Sequence, residues 1–259
     1  MNGIGDIAAR LAEVPLFEGL APELLNDLAR ASHVVRLPKG ALLYSAGEQA
    51  RVLVHVLSGQ LKVAVSSSDG GEKVIDVVAP GQNIGMAELF GNIPYVSFAE
   101  TVAPSLVLHI SREAVLRVVD RDPRISRRLL RAIGERQATI ERDIASSSFK
   151  SGCRRVVDYL LRQAETCGDA AAATVDLGMP KHLLAARLGF TPETLSRAFR
   201  YLSEAGLISV RGKQVKLSPK LMHTADNDEV DSVIRQPAAG DTWRDRSVRA
   251  GGGRVAAWA

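Results

Sequence analysis

The chain has 259 residues, 46% apolar and 24% charged, with a formal net charge of +4; that composition excludes a wholly disordered, collagenous or coiled-coil protein. No run approaches the roughly 18 uncharged apolar residues of a membrane span, and Asp6, Arg10, Glu13 and Glu18 interrupt any apolar signal core. Two cysteines, Cys153 and Cys167, cannot frame a disulfide scaffold and fit a reducing compartment, so a cytoplasmic protein is expected.

From Leu37 to about Ile110 short apolar runs alternate with glycine punctuation. Runs such as 41–44, 52–57, 61–65 and 73–78 read as strands, several with the period of two of a half-buried face. Turn signals lie between them at Lys39-Gly40, Gly47, Ser58-Gly59, Gly70-Gly71 and Pro80-Gly81. Many short strands at this spacing predict an antiparallel sandwich or roll.

The period changes at Pro123. Leu130, Ile133, Gln137, Ile140 and Ile144 then recur at three- and four-residue steps, a narrow stripe on an otherwise charged helix. Such a stripe packs either on the chain's own sheet or on a second copy of itself. Its narrowness favours the copy, in a parallel homodimer. Ser146-Ser147-Ser148 reads as the end of the helix and a hinge. A second amphipathic helix follows over Cys153–Ala164, then a short strand over 174–177. Beyond Met222 periodicity is lost, and roughly 223–259 reads as disordered.

Charge is concentrated between Met179 and Lys220, where eight Lys or Arg face only Glu193 and Glu204. There Leu183, Leu184 and Leu188 predict one short helix, Ala185 and Gly189 a crossing and a turn, and Thr191-Pro192-Glu193 the start of a second. The second helix buries Leu195, Ala198 and Leu202 and shows Glu193, Ser196, Arg197 and Arg200 on its opposite face. A hairpin with Arg211-Gly212-Lys213 at its tip follows. This is the pattern of a winged helix-turn-helix. Arginine can fork onto guanine, glutamate can accept from the cytosine amine, and serine can meet either edge. Glu193, Ser196 and Arg197 are therefore the candidate base readers of double-stranded DNA. Thr191, Arg200, Arg211 and Lys213 are the candidate phosphate contacts.

These motifs together resemble the Crp/Fnr superfamily of transcription regulators over about residues 15–218. Glu193-Thr-Leu-Ser196-Arg197 is similar to the Glu-x-x-Ser-Arg recognition helix of the Fnr and Dnr branch, which reads TTGAT-type half-sites. Val14 to Leu20 and Tyr95-Val96 are also similar to that branch. The resemblance implies an α+β fold: an N-terminal antiparallel β-roll of the cyclic-nucleotide-binding type at 1–112, a dimerisation helix and hinge at 113–148, a winged helix-turn-helix at 149–221, and a tail at 222–259. It also implies a homodimer on a palindrome and RNA polymerase as a partner.

The effector pocket that the resemblance implies holds Met86, Glu88, Val96 and Ser97. Cyclic-AMP binders carry Gly-Glu-Leu and Arg-Ser/Thr-Ala motifs, where this chain reads Gly85-Met86-Ala87-Glu88-Leu89 and Val96-Ser97-Phe98-Ala99. No arginine lies between Arg51 and Arg112, so a cyclic phosphate has no evident partner in the roll. No cysteine precedes Cys153, which argues against an iron–sulfur cluster. A haem that senses nitric oxide is the branch's remaining route. Val14 and Pro15 stand at the branch's usual histidine positions, so an axial ligand has to come from His33, His55 or His109. Two other readings stay open: an effector-independent regulator whose sensor serves only dimerisation, and an enzyme on the roll. The second lacks any Gly-x-Ser-x-Gly, His-Glu-x-x-His or phosphate-loop motif.

Overall fold

The computed structural model describes residues 3–66, 68, 71–166 and 174–223. Two helices the sequence reading passed over come first, α1 (Ile4–Ala12) and α2 (Pro22–Arg30), with a 3-10 turn at Pro15–Phe17 between them. Their signals are local: α2 opens on Pro22 at its first position, with Glu23 in the first turn and Arg30 in the last. Ile7, Leu11, Leu16, Phe17 and Leu28 bury themselves against the sheet.

The sheet has six antiparallel strands: β1 (Ser32–Leu37), β2 (Leu42–Tyr44), β3 (Val52–Ser66), β4 (Glu72–Val78), β5 (Asn83–Ile84) and β6 (Phe98–Ser111). The main order is β1-β6-β3-β4, with β2 on β6 and β5 on β3. One expectation fails here. Ser58-Gly59 is no turn, because β3 runs unbroken through it. The register against β6 slips three times between Val56 and Leu61. Gly59 has φ +86°, and a Cβ there would come within 2.5 Å of the Ser105 Cα and the Pro104 carbonyl. Glycine lets two backbones touch at a bulge, which the sequence shows only as punctuation.

A short α3 (Met86–Gly91) follows β5, and α4 (Arg112–Arg121) leads into α5 (Pro123–Phe149). The carboxylate of Asp122 caps α5, accepting from the Arg124 amide at 3.0 Å. The serine run does not end this helix, contrary to expectation. Ser146 is buried within it, and the break falls at Lys150–Ser151. Serine's propensity deficit, about 0.7 kcal/mol or less per residue, does not terminate a helix of this length.

The remaining elements are α6 (Gly152–Thr166), β7 (Thr174–Asp176), α7 (Lys181–Arg187), α8 (Pro192–Glu204), β8 (Ile208–Arg211), β9 (Gln214–Leu217) and α9 (Pro219–His223). Val156, Leu160, Leu184, Leu195, Ala198 and Leu202 are at most 1% exposed, and each buried leucine contributes about 1.5–3 kcal/mol. This second core is not confined to the C-terminal segment. Ala64, Val74 and Val77 of the sheet are buried in it, with Phe98 and Val102 alongside. Cys153 lies here too, and burial pushes its thiol up to about 11, so it is an inert core group. Cys167 and the tail beyond His223 lie outside the described residues. No helix among the described residues is long and apolar enough to cross a membrane.

Candidate functional site

Two surfaces carry chemistry. The first is α8. Its start is fixed by Thr191, whose hydroxyl oxygen accepts from the Thr194 amide at 3.2 Å. Gly189, at φ +71°, makes the turn from α7. Glu193, Ser196, Arg197 and Arg200 all stand exposed along one side of the helix, opposite buried Leu195, Ala198, Phe199 and Leu202. The Glu193 carboxyl is held below the usual carboxylate range by its own backbone N–H and the Thr191 hydroxyl, with Arg197 adding to the effect. It is thus an acceptor at neutral pH. The Ser196 hydroxyl donates to the Pro192 carbonyl at 2.8 Å, which leaves its lone pairs facing outward as acceptors. Arg211 and Lys213 are exposed at the tip of the β8–β9 hairpin, whose turn is made by Gly212 at φ +62°.

The second surface is a cavity of about 360 Å³ between the roll and α5. Met86, Glu88, Val96 and Ser97, separated along the sequence, all line it. Tyr44 forms part of its wall and stacks on Tyr95, with ring centroids 3.7 Å apart. Burial pushes the Tyr44 phenol up to about 12, so it stays protonated, paired with Ser97.

The structure corrects the expected lack of donors in this pocket. α5 supplies Arg136 and Gln137, and β5 supplies Asn83; Glu141 of α5 adds an acceptor. Sequence reasoning confined to the roll missed Arg136 because its contact spans sixty residues of chain; the only signal was its place beside the stripe. Its guanidinium is committed to Asp76 of β4, and Asp76 also takes Arg187 of α7 at 3.1 Å. Ile133, Gln137 and Ile140, read as a pairing seam, line this cavity as well. Leu130, Ile140 and Ile144 are nonetheless 71%, 39% and 59% exposed.

The three histidines separate. His33 is exposed and pairs across β1 and β6 with His109, the ring centroids 5.3 Å apart. His55 is buried with Nδ1 2.9 Å from the Asn83 side-chain oxygen. His109 is pushed down to about 4 by burial and by His33; its Nε2 is buried without a hydrogen-bond partner. None lines the cavity against α5, so a histidine-ligated haem does not fit there. His109 lines a separate cavity beside Tyr95 and Arg51. No group of three or more metal-ligating side chains occurs among the described residues.

Two family models match the chain: "Cyclic nucleotide-binding domain" over residues 34–122 and "Crp-like helix-turn-helix domain" over 154–220. "Probable transcriptional regulator flp" of Lacticaseibacillus casei is 31% identical over 206 residues, covering 80% of this chain and 92% of the relative. The chain belongs to the Crp/Fnr superfamily of transcription regulators. The "CRP-like cAMP-activated global transcriptional regulator" of Mycobacterium tuberculosis is 26% identical, covering 80% of this chain and 94% of its own. FixK2 of Bradyrhizobium japonicum shares the fold, with a TM-score of 0.65 at 22% identity over 75% of this chain and 97% of its own. This superfamily member is thus a DNA-binding transcription regulator, and its relatives are regulators rather than enzymes.

Proposed function

We propose that the protein acts as a homodimer that reads a TTGAT-like palindrome, with Glu193, Ser196 and Arg197 on base edges. Thr191, Arg200, Arg211 and Lys213 contact phosphates. The observation that carries this reading is the exposed face of α8. It presents a forked cation, an ionised acceptor and an outward hydroxyl oxygen within the first two turns of a capped helix. These are the groups that discriminate base pairs in a major groove. The half-exposed stripe of α5 pairs with its copy, which would set the two recognition helices about one DNA turn, roughly 34 Å, apart. RNA polymerase is the partner that superfamily membership suggests.

The cavity against α5 takes the effector: a small ligand, mostly apolar, with a polar end that meets Asn83, Ser97 or Gln137. The pocket walls support this reading, and the lack of a histidine there disfavours haem and nitric oxide. Because Ile133 and Ile140 belong to both the pocket and the stripe, a bound ligand bears directly on subunit pairing. The test is an electrophoretic mobility shift of the purified chain on a TTGAT palindrome and on its scrambled counterpart. Arg197→Ala should lose affinity on the palindrome alone; equal loss on both refutes the assignment. An absorption spectrum of protein purified without oxygen, with a Soret band lost in His109→Ala, would restore haem.

A further inference from the structure

His33 and His109 belong to neither of the two surfaces described above. They stand directly opposite each other on β1 and β6, where the Cβ atoms of paired residues lie about 4.5–5.5 Å apart on one face. β1 is the edge of the main strand order, and His33 is exposed on it. His109 is half-buried, and its Nε2 is buried with no hydrogen-bond partner among the described residues. A buried ring nitrogen left unpaired is costly, and the neighbouring positions of β6 are filled by the apolar residues Val107, Leu108 and Ile110.

The spacing of the two rings is that of a chelate. A metal about 2.0–2.1 Å from one nitrogen of each ring lies roughly 3.2 Å from each ring centre, and a tetrahedral angle then sets the centres about 5.2 Å apart. The observed separation is 5.3 Å. The rings meet edge to face at 64°, and the exposed His33 ring need only turn about its own side-chain bonds to bring a nitrogen onto the shared point. His55, in contrast, is committed to the Asn83 side chain at 2.9 Å. The cavity that His109 lines also carries Glu48 and Arg51, one acid and one cation, so its walls set no net charge against a dication.

We infer that His33 and His109 form a two-histidine site for a divalent transition-metal cation, which clips the edge strand β1 to β6. Water fills the remaining positions of the ion. Imidazole nitrogens select copper, nickel and zinc ions over magnesium and calcium, which take oxygen ligands. The site lies apart from the cavity against α5 and from the recognition helix. An ion that binds the paired strands and not the unfolded chain raises the melting temperature as its concentration rises.

The experiment is isothermal titration of the full chain, carrying no affinity tag, with nickel chloride in a buffer that does not chelate. One saturable site per chain is expected, copper should bind tighter than nickel, and magnesium should give no saturable heat. His33→Ala should weaken nickel binding about ten-fold or more and keep the melting temperature of the metal-free protein, because the ring is exposed. His182→Ala, which removes an exposed histidine of α7, should leave binding within about two-fold. Electron paramagnetic resonance of the cupric form should show the splitting of two imidazole nitrogens, reduced to one in His33→Ala. Absence of saturable heat with nickel and copper, or nickel binding unchanged in His33→Ala, overturns the proposal. The second result would place the ion on a thiol or on another histidine. Loss in His182→Ala alone overturns it equally.

Discussion

Asp76→Ala removes one carboxylate that serves two guanidiniums from two other elements. Arg187 and Asp76 have side chains only 17% and 14% exposed, so their pair lies closer to the buried than to the surface limit. Breaking a fully buried pair costs about 3–5 kcal/mol, and an exposed pair is worth about 1 kcal/mol or less. Arg136 is 40% exposed and its share is screened accordingly. The expected loss is therefore about 2–3 kcal/mol, or roughly 5–10 °C in melting temperature for a protein of this size. Urea unfolding followed by circular dichroism reads it, and a double-mutant cycle with Arg187→Ala isolates the coupling. A loss under about 0.5 kcal/mol, or strict additivity in the cycle, would mean that the carboxylate is a solvated surface group and that the domains are held together by apolar contact alone.

Arg197→Ala should cost about 1–3 kcal/mol of operator affinity and relax discrimination at one guanine, as read by binding to a panel of single-base variants. Lys213→Ala should weaken all sequences alike and lower the salt slope by roughly one unit. Ile140→Asp should give monomers in sedimentation with poor operator binding; a stable dimer would assign the stripe to its own sheet instead. His109 has its pKa lowered to about 4, against an ordinary value near 6.5, so the unfolded chain binds more protons between those values. Stability should be full above about pH 6.5 and decline as pH falls toward 4. His109→Gln should flatten that decline in a pH series of melting curves.

The recognition segment was legible in the sequence because its determinants are local. Thr191 as a cap, proline at the first helical position, glycine at the turn and apolar residues at helical spacing all act within a few residues of each other. The wing was legible for the same reason, through Arg211-Gly212-Lys213. Gly59 shows where local reading stops: glycine marks a turn or a tolerated close approach equally well, and only the partner strand at Pro104 and Ser105 distinguishes them. The serine run misled in the same manner, because a small propensity deficit alone does not end a helix. The pocket was half legible. Met86, Glu88, Val96 and Ser97 come from neighbouring turns of the roll, whereas Arg136 and Gln137 reach it from a helix that hydrophobic periodicity describes only as a stripe.

The apolar patch of the sheet made by Ala64, Val74 and Val77 belongs to the same core as Leu160, Leu184 and Leu202. Excision of the winged helix as an autonomous fragment would therefore expose a greasy facet on each half and invite aggregation. A chimera that grafts a relative's reading head onto this roll must bring matching side chains at those three strand positions. Recombination points within this protein are thus set by the shared core, not by the break between α5 and α6.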